Sequence, residues 1–224
     1  MPTDPEDLRR IFDSEGDGGA ERKRPRLTDL NGYHEGLVKR VEDFARAAGW
    51  RAIAMTYHAQ EGGDALKLAG DNTGLYVRTL PDLIFTNGQR TVLVEVKTHV
   101  SDRYSDATPE LFPIVVARAL WYTVGVRTLY VYEDPLANIS AAWWGHEVFE
   151  EVPVAAIYVG TQRPEHLQLA ALVRHWRRSW LIPGEVPVRT VQTNGSGDPY
   201  VVIPERVLRK LLPWHVVLGD ALRR

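Results

Sequence analysis

Residues 80–97 read LPDLIFTNGQRTVLVEVK, and the fold turns on how this stretch pairs with itself. From 91 to 97 valine alternates with other residues, so Val92, Val94 and Val96 share one face of a strand and Glu95 and Lys97 the other. The valine face can lie under a helix. Upstream, residues 75–86 read as extended chain broken by Pro81. Between the two runs, Asn87-Gly88 is a strong short hairpin signal, because both central residues of a type I′ turn need positive φ. Pairing the runs brings Asp82, at the end of the first, beside Glu95 and Lys97 on the second.

Two carboxylates and a lysine at one edge of a sheet suit phosphodiester hydrolysis. Mg²⁺ takes carboxylate oxygens and water and leaves room for a substrate phosphate. Such an ion stabilises charge on the phosphate and lowers the pKa of bound water, and an adjacent lysine can orient that water or offset developing charge.

Working outward, residues 31–48 carry apolar side chains at helical spacing (Leu37, Val38, Val41, Phe44, Ala45), with Gly49 where a C-terminal cap belongs. His34 falls within that apolar stripe and reads as a half-buried, satisfied histidine; Glu35 lies on its flank. Residues 51–57 read as a strand and 59–74 as a glycine-rich loop. Residues 110–124 are apolar almost all round, with Arg118 as the one charge after Glu110, which predicts a buried helix. Residues 126–132 and 152–159 read as strands, 164–180 as a helix, 186–191 and 200–203 as short strands, and a terminal helix starts near 204. The order implies an α/β fold: a mixed-sheet αβββαβ core flanked by helices, with a C-terminal extension. We expect a polar tail at 1–27, a core at 28–180 and an accessory segment at 181–224.

The motif Pro81-Asp82, then Glu95-Val96-Lys97, resembles the signature of the PD-(D/E)XK nuclease superfamily in residue type, spacing and strand context, and the likeness covers roughly residues 28–135. The resemblance implies a restriction-endonuclease-like fold. It implies that Asp82 and Glu95 ligate Mg²⁺ or Mn²⁺, that the carbonyl of Val96 joins them, and that Lys97 assists the nucleophile. Many members add an acid from the first helix, for which Glu35 is the match. Many carry a glutamine and, four residues on, a tyrosine in the helix after the motif; here the pair is Arg118 and Tyr122, so the tyrosine fits and the arginine departs. The activity implied is a DNA endonuclease similar to archaeal-type Holliday junction resolvases and phage nucleases. A restriction-like enzyme and a non-catalytic nucleic-acid-binding protein of the same fold are the alternatives.

The remaining composition limits the choices. Lysine and arginine total 27 against 29 acids, a net charge of −2, so no strongly basic balance marks a nucleic-acid binder. Basic side chains cluster locally, and Arg174, Arg177 and Arg178 share one helical face suited to phosphates. None of the seven histidines has HxxxH spacing, there is no cysteine, and no P-loop, GxGxxG or GxSxG occurs. No apolar run approaches membrane-spanning length and the first residues lack a secretory h-region, so we expect an intracellular protein. Symmetric cutting of a junction calls for a two-fold dimer, for which Trp143, Trp144, Trp176, Trp180 and Trp214 are interface candidates.

Overall fold

A computed structural model of the chain describes residues 27–55, 80–99, 106–148, 188–190 and 199–223. Its centre is a five-stranded mixed sheet in the order β1-β2-β3-β4-β5. The strands are β1 (Arg51–Ala54), β2 (Leu83–Thr86), β3 (Thr91–Thr98), β4 (Arg127–Asp134) and β5 (Ile139–Trp144). β1, β2 and β3 pair antiparallel, β3 and β4 run parallel, and β5 returns antiparallel to β4. The parallel pair needs a crossover, which helix α2 (Leu111–Val124) supplies after α1 (Leu27–Ala47) has opened the chain. This is the mixed α/β class expected from the sequence.

The alternation in β3 sorts the two faces. Val92, Val94 and Val96 are buried with Leu83, Phe85, Leu129 and Val131 under α1 and under α4 (Trp214–Arg223). On the opposite face Ile114 and Val115 of α2 pack with Tyr130, Tyr132 and Trp143, closed by Val201, Ile203 and Leu208. Chain from the C-terminal segment thus enters both cores: β7 (Pro199–Val201) pairs with β6 (Val188–Thr190), α3 (Glu205–Leu208) follows, and α4 closes the α1 side. Trp50 Nε1 donates to the carbonyl of Leu222 at 3.2 Å, tying the start of β1 to the end of α4.

Helix α1 buries Tyr33, Leu37, Val41 and Ala45, one residue per four. It ends in a Schellman arrangement: Gly49, at φ 82°, donates to Arg46 and Trp50 to Ala45, each at 3.0 Å. The β2–β3 connection differs from the two-residue turn expected. Thr86 pairs with Thr91, so the loop spans 87–90, and of its residues Gly88 alone has positive φ. Asn87 instead folds its side chain over the turn, Oδ1 accepting from the backbone N–H groups of Gln89 and Arg90 at 3.0 and 2.9 Å. Strand β5 adds to the strands expected; residues 135–138 turn the chain into it, Asn138 at φ 53°. Two of the tryptophans considered for an interface, Trp143 and Trp214, are buried in the chain's own core because β5 and α4 bury them there. Trp144 is half-buried, and Trp176 and Trp180 lie outside the described residues.

At Gly145 the layers approach too closely for a side chain. A Cβ there would stand 2.8 Å from Ala117 Cβ and 2.8 Å from Tyr130 Cε2, between α2 and β4. We expect Gly145→Ala to lower stability by about 1–3 kcal/mol, the usual cost of overpacking a filled interior. Denaturant melts would measure it, and an unchanged midpoint would mean the layers separate freely.

Candidate active site

β2 begins at Leu83, opposite Val94, and Pro81 before it has no N–H to extend the ladder. Side chains take over where the ladder stops. Asp82 Oδ2 accepts the backbone N–H of Val96 at 2.7 Å, and His34 Nε2 donates to the Val96 carbonyl at 3.1 Å. His34 Nε2 lies 3.9 Å from Asp82 Oδ2. On the α2 face of the same strand, Glu95 Oε1 and Lys97 Nζ are 2.8 Å apart, and Lys97 Nζ donates to Glu110 Oε2 at 3.0 Å. Glu110 occupies the N-cap position of α2 in extended conformation, but its side chain makes no cap bond and reaches Lys97 instead.

The electrostatics follow from burial beside unlike charges. Glu95 is 12% exposed and shares a small apolar recess with Leu93, Pro113, Ala117 and Tyr130. Burial pushes its carboxyl up to about 8; Lys97 opposes the shift, while Asp82 and Glu110 add to it. For Lys97, burial alone would depress the ammonium, but Glu110, Glu95 and Asp82 outweigh it and hold the group well above its ordinary value. These neighbours favour the charged form of the lysine. The site is rich in carboxylate and short of positive charge.

Of the residues expected at the site, Asp82, Glu95, Lys97 and the backbone of Val96 come together. Glu35 does not join them: it is exposed, and among the described residues no hydrogen bond or ion pair links it to the motif. The reason is helical phase. Tyr33 and Leu37 face the sheet, which turns Glu35, 200° from Tyr33, outward and leaves His34 at the rim. Glu133 fixes that phase, since its carboxylate accepts from Tyr33 Oη at 2.7 Å, Arg40 Nη2 at 2.6 Å and Trp214 Nε1 at 2.6 Å. Glu110 is the neighbour that sequence reasoning missed; its signal was an acid at the head of an otherwise apolar helix. His34 is half-buried and hydrogen-bonded, as its place in the apolar stripe suggests, and its acceptor is the Val96 carbonyl of the motif.

Arg118 is buried, and its Nη1 donates to the carbonyl of His146 at 2.7 Å, in the 3₁₀ turn Gly145–Glu147. Its guanidinium also lies 4.9 Å from the centre of the Tyr122 ring, which is 61% exposed. The arginine that departs from the family pair thus has a backbone acceptor within the fold. Arg174, Arg177 and Arg178 lie outside the described residues.

Among the described residues no three His, Asp or Glu side chains form a ready-made metal cluster. What they offer is two carboxylates and one carbonyl at a strand end. That donor set fits Mg²⁺, which commonly keeps several waters and takes only one or two protein carboxylates.

No protein-family model matches the chain, and no curated protein matches it. Among solved structures, the Holliday junction resolvase Hjc of the archaeal hyperthermophile Archaeoglobus fulgidus is similar. It is 13% identical, with 83% of this chain and 95% of that one covered, at a TM-score of 0.38. A likeness this loose transfers neither chemistry nor substrate. Among the described residues no helix is long and apolar enough to cross a membrane.

Proposed function

We propose that the chain is a divalent-metal-dependent endonuclease that hydrolyses DNA phosphodiester bonds at Asp82, Glu95 and Lys97. The observation that carries this reading is the meeting, at one end of β3, of two carboxylates with an ammonium fixed between Glu95 and Glu110. Asp82, Glu95 and the Val96 carbonyl would hold Mg²⁺ or Mn²⁺, with His34 beside them. When bound, the ion would neutralise phosphate charge and lower the pKa of a coordinated water. Asp82 also holds the Val96 peptide in place through its N–H. Lys97, whose charged form its carboxylate neighbours favour, donates to a phosphate oxygen or to the attacking water.

The finer reading, branched DNA cut symmetrically by a homodimer, rests on the resemblance of the motif region to archaeal-type resolvases. Four-way junction and linear duplex of the same sequence, each incubated with and without Mg²⁺, test both levels. We expect cleavage only with metal, and opposed nicks in the junction. A monomer in sedimentation that cuts the linear duplex would move the reading to a restriction-like enzyme. Binding without any cleavage would leave a nucleic-acid-binding protein.

Two further results are expected. A carboxyl at about 8 must release its proton to take a metal, so below pH 8 Mn²⁺ affinity should fall by roughly tenfold per pH unit and level off above it. Calorimetry across pH would show it; a flat profile from pH 6 to 9 would mean that Glu95 is already ionised or is no ligand. The second concerns α1. His34→Ala should weaken Mn²⁺ binding by about 10–100-fold, the range for side chains that orient a metal's ligands. Glu35→Ala should leave it within about twofold, and the reverse order would return Glu35 to the site.

A further inference from the structure

The opposite end of the sheet from the carboxylates opens into a cleft of about 740 Å³, within the range of small-ligand sites. It lies between the β2–β3 loop, the starts of β3 and β4, the C-terminal end of α2, and α4. Val92 pairs with Arg127 at the cleft, and Lys97 pairs with Tyr132 at the other end. Five residues of strand separate them, about 17 Å at 3.3 Å per residue.

Two arginines line this cleft, and both are held by aromatic rings. The Arg127 guanidinium lies 4.3 Å from the centre of the Trp121 ring and 5.5 Å from that of Trp144, and Arg90 lies 5.5 Å from that of Trp50. Among the described residues neither guanidinium makes a hydrogen bond or a direct ion pair, although Arg127 acts through space on the Glu147 carboxyl. Stacking occupies the flat face of a guanidinium and leaves its in-plane N–H fork for an acceptor, which suits phosphate oxygens. The acid in the lining, Asp220, is engaged by Arg223 Nη2 at 2.6 Å. His146, packed against Trp121 and Trp144, adds no charge: burial, then Arg127 and Arg118, push it down to about 4. Val124, Leu212 and Val217 make the rest of the wall apolar, and the first two are 64% and 57% exposed.

We infer that this cleft binds a nucleotide unit, its phosphates on Arg90 and Arg127 and its base against the exposed aliphatic wall of Val124 and Leu212. The unit is either a free nucleotide or an unpaired nucleotide of a strand. The inference does not depend on the nuclease reading, since Asp82, Glu95 and Lys97 take no part in it.

Calorimetry and tryptophan quenching of the full chain, in a chelator so that nothing is cut, provide the test. The probes are adenosine diphosphate, a short single-stranded oligodeoxythymidine and inorganic phosphate. We expect one adenosine diphosphate or one strand per chain, and whichever binds identifies the source. Arg90→Lys with Arg127→Lys keeps both charges but loses the planar stacking and the forks, and should weaken binding by about tenfold or more. Asp82→Asn should bind the same probe as tightly as the parent chain. Binding that Asp82→Asn removes would put the ligand in the carboxylate site and overturn the inference. So would binding by neither nucleotide probe, an unchanged affinity in the double lysine variant of matching melting temperature, or phosphate alone binding as tightly as the diphosphate.

Discussion

Asp82→Asn and Glu95→Gln are each expected to lower DNA cleavage by about 10³-fold or more, because a catalytic divalent ion supplies several kcal/mol of charge stabilisation and about 1.4 kcal/mol is tenfold in rate. The two losses should differ in kind. Asp82 also accepts the Val96 N–H at 2.7 Å, so the amide's weaker acceptor loosens the β3 peptide whose carbonyl is a proposed ligand. Glu95 stands in a recess that keeps its carboxyl protonated near neutral pH, and the amide preserves that neutral shape. We therefore expect Asp82→Asn to lose stability slightly and Glu95→Gln to keep or gain it. Both proteins should lose Mn²⁺ binding in calorimetry. Wild-type metal affinity in both variants, together with undiminished cutting, would remove the carboxylate site altogether.

The strand pair that carries this site was legible because one face of it is buried. Burial on one side forces period-two alternation, and Val92, Val94 and Val96 display it without interruption. Helix α2 was legible for a related reason, its nearly unbroken apolar run with Arg118 as the one charge, but the burial expected of it holds only over its first half, and its last turn, with Tyr122 and Val124, is exposed. β5 was not legible, because ISAAWW is packed on both faces and shows no alternation. Its turn did carry a sign, in Asp134, whose Oδ1 accepts from Leu136 and Ala137 at 3.0 Å each. On α1 the apolar stripe held His34 and left Glu35 on its flank, and Glu35 was expected at the site through the resemblance alone. Glu35 and His34 are neighbours, and which of them meets β3 depends on Tyr33 finding Glu133, 100 residues away. No local pattern encodes that distance. The acceptor for Arg118 was hidden in the same way, since a backbone carbonyl in a 3₁₀ turn leaves no trace in residue type.

Lys97→Met is expected to lower turnover by about 10²–10³-fold, the cost of removing one preorganised donor from a developing oxyanion. Methionine preserves most of the side chain's length and tests the charge rather than the packing. Metal binding needs more care, because Lys97 is one of the groups that hold down the Glu95 carboxyl. Without the ammonium, Glu95 retains its proton to still higher pH, so Mn²⁺ affinity near neutrality should fall. At alkaline pH the sign reverses. Once Glu95 is ionised, a cation 2.8 Å away no longer competes with the incoming metal, and affinity in Lys97→Met should equal or exceed that of the parent chain. Turnover should remain depressed at that pH and at saturating Mn²⁺, which separates a role in the reaction from a role in metal loading. The parent chain's rate should show no titration assignable to Lys97, since Glu110 and Glu95 favour its charged form. Full recovery of turnover in Lys97→Met at high pH and high Mn²⁺ would reduce the lysine to a partner of Glu95 and leave the reaction to the carboxylates.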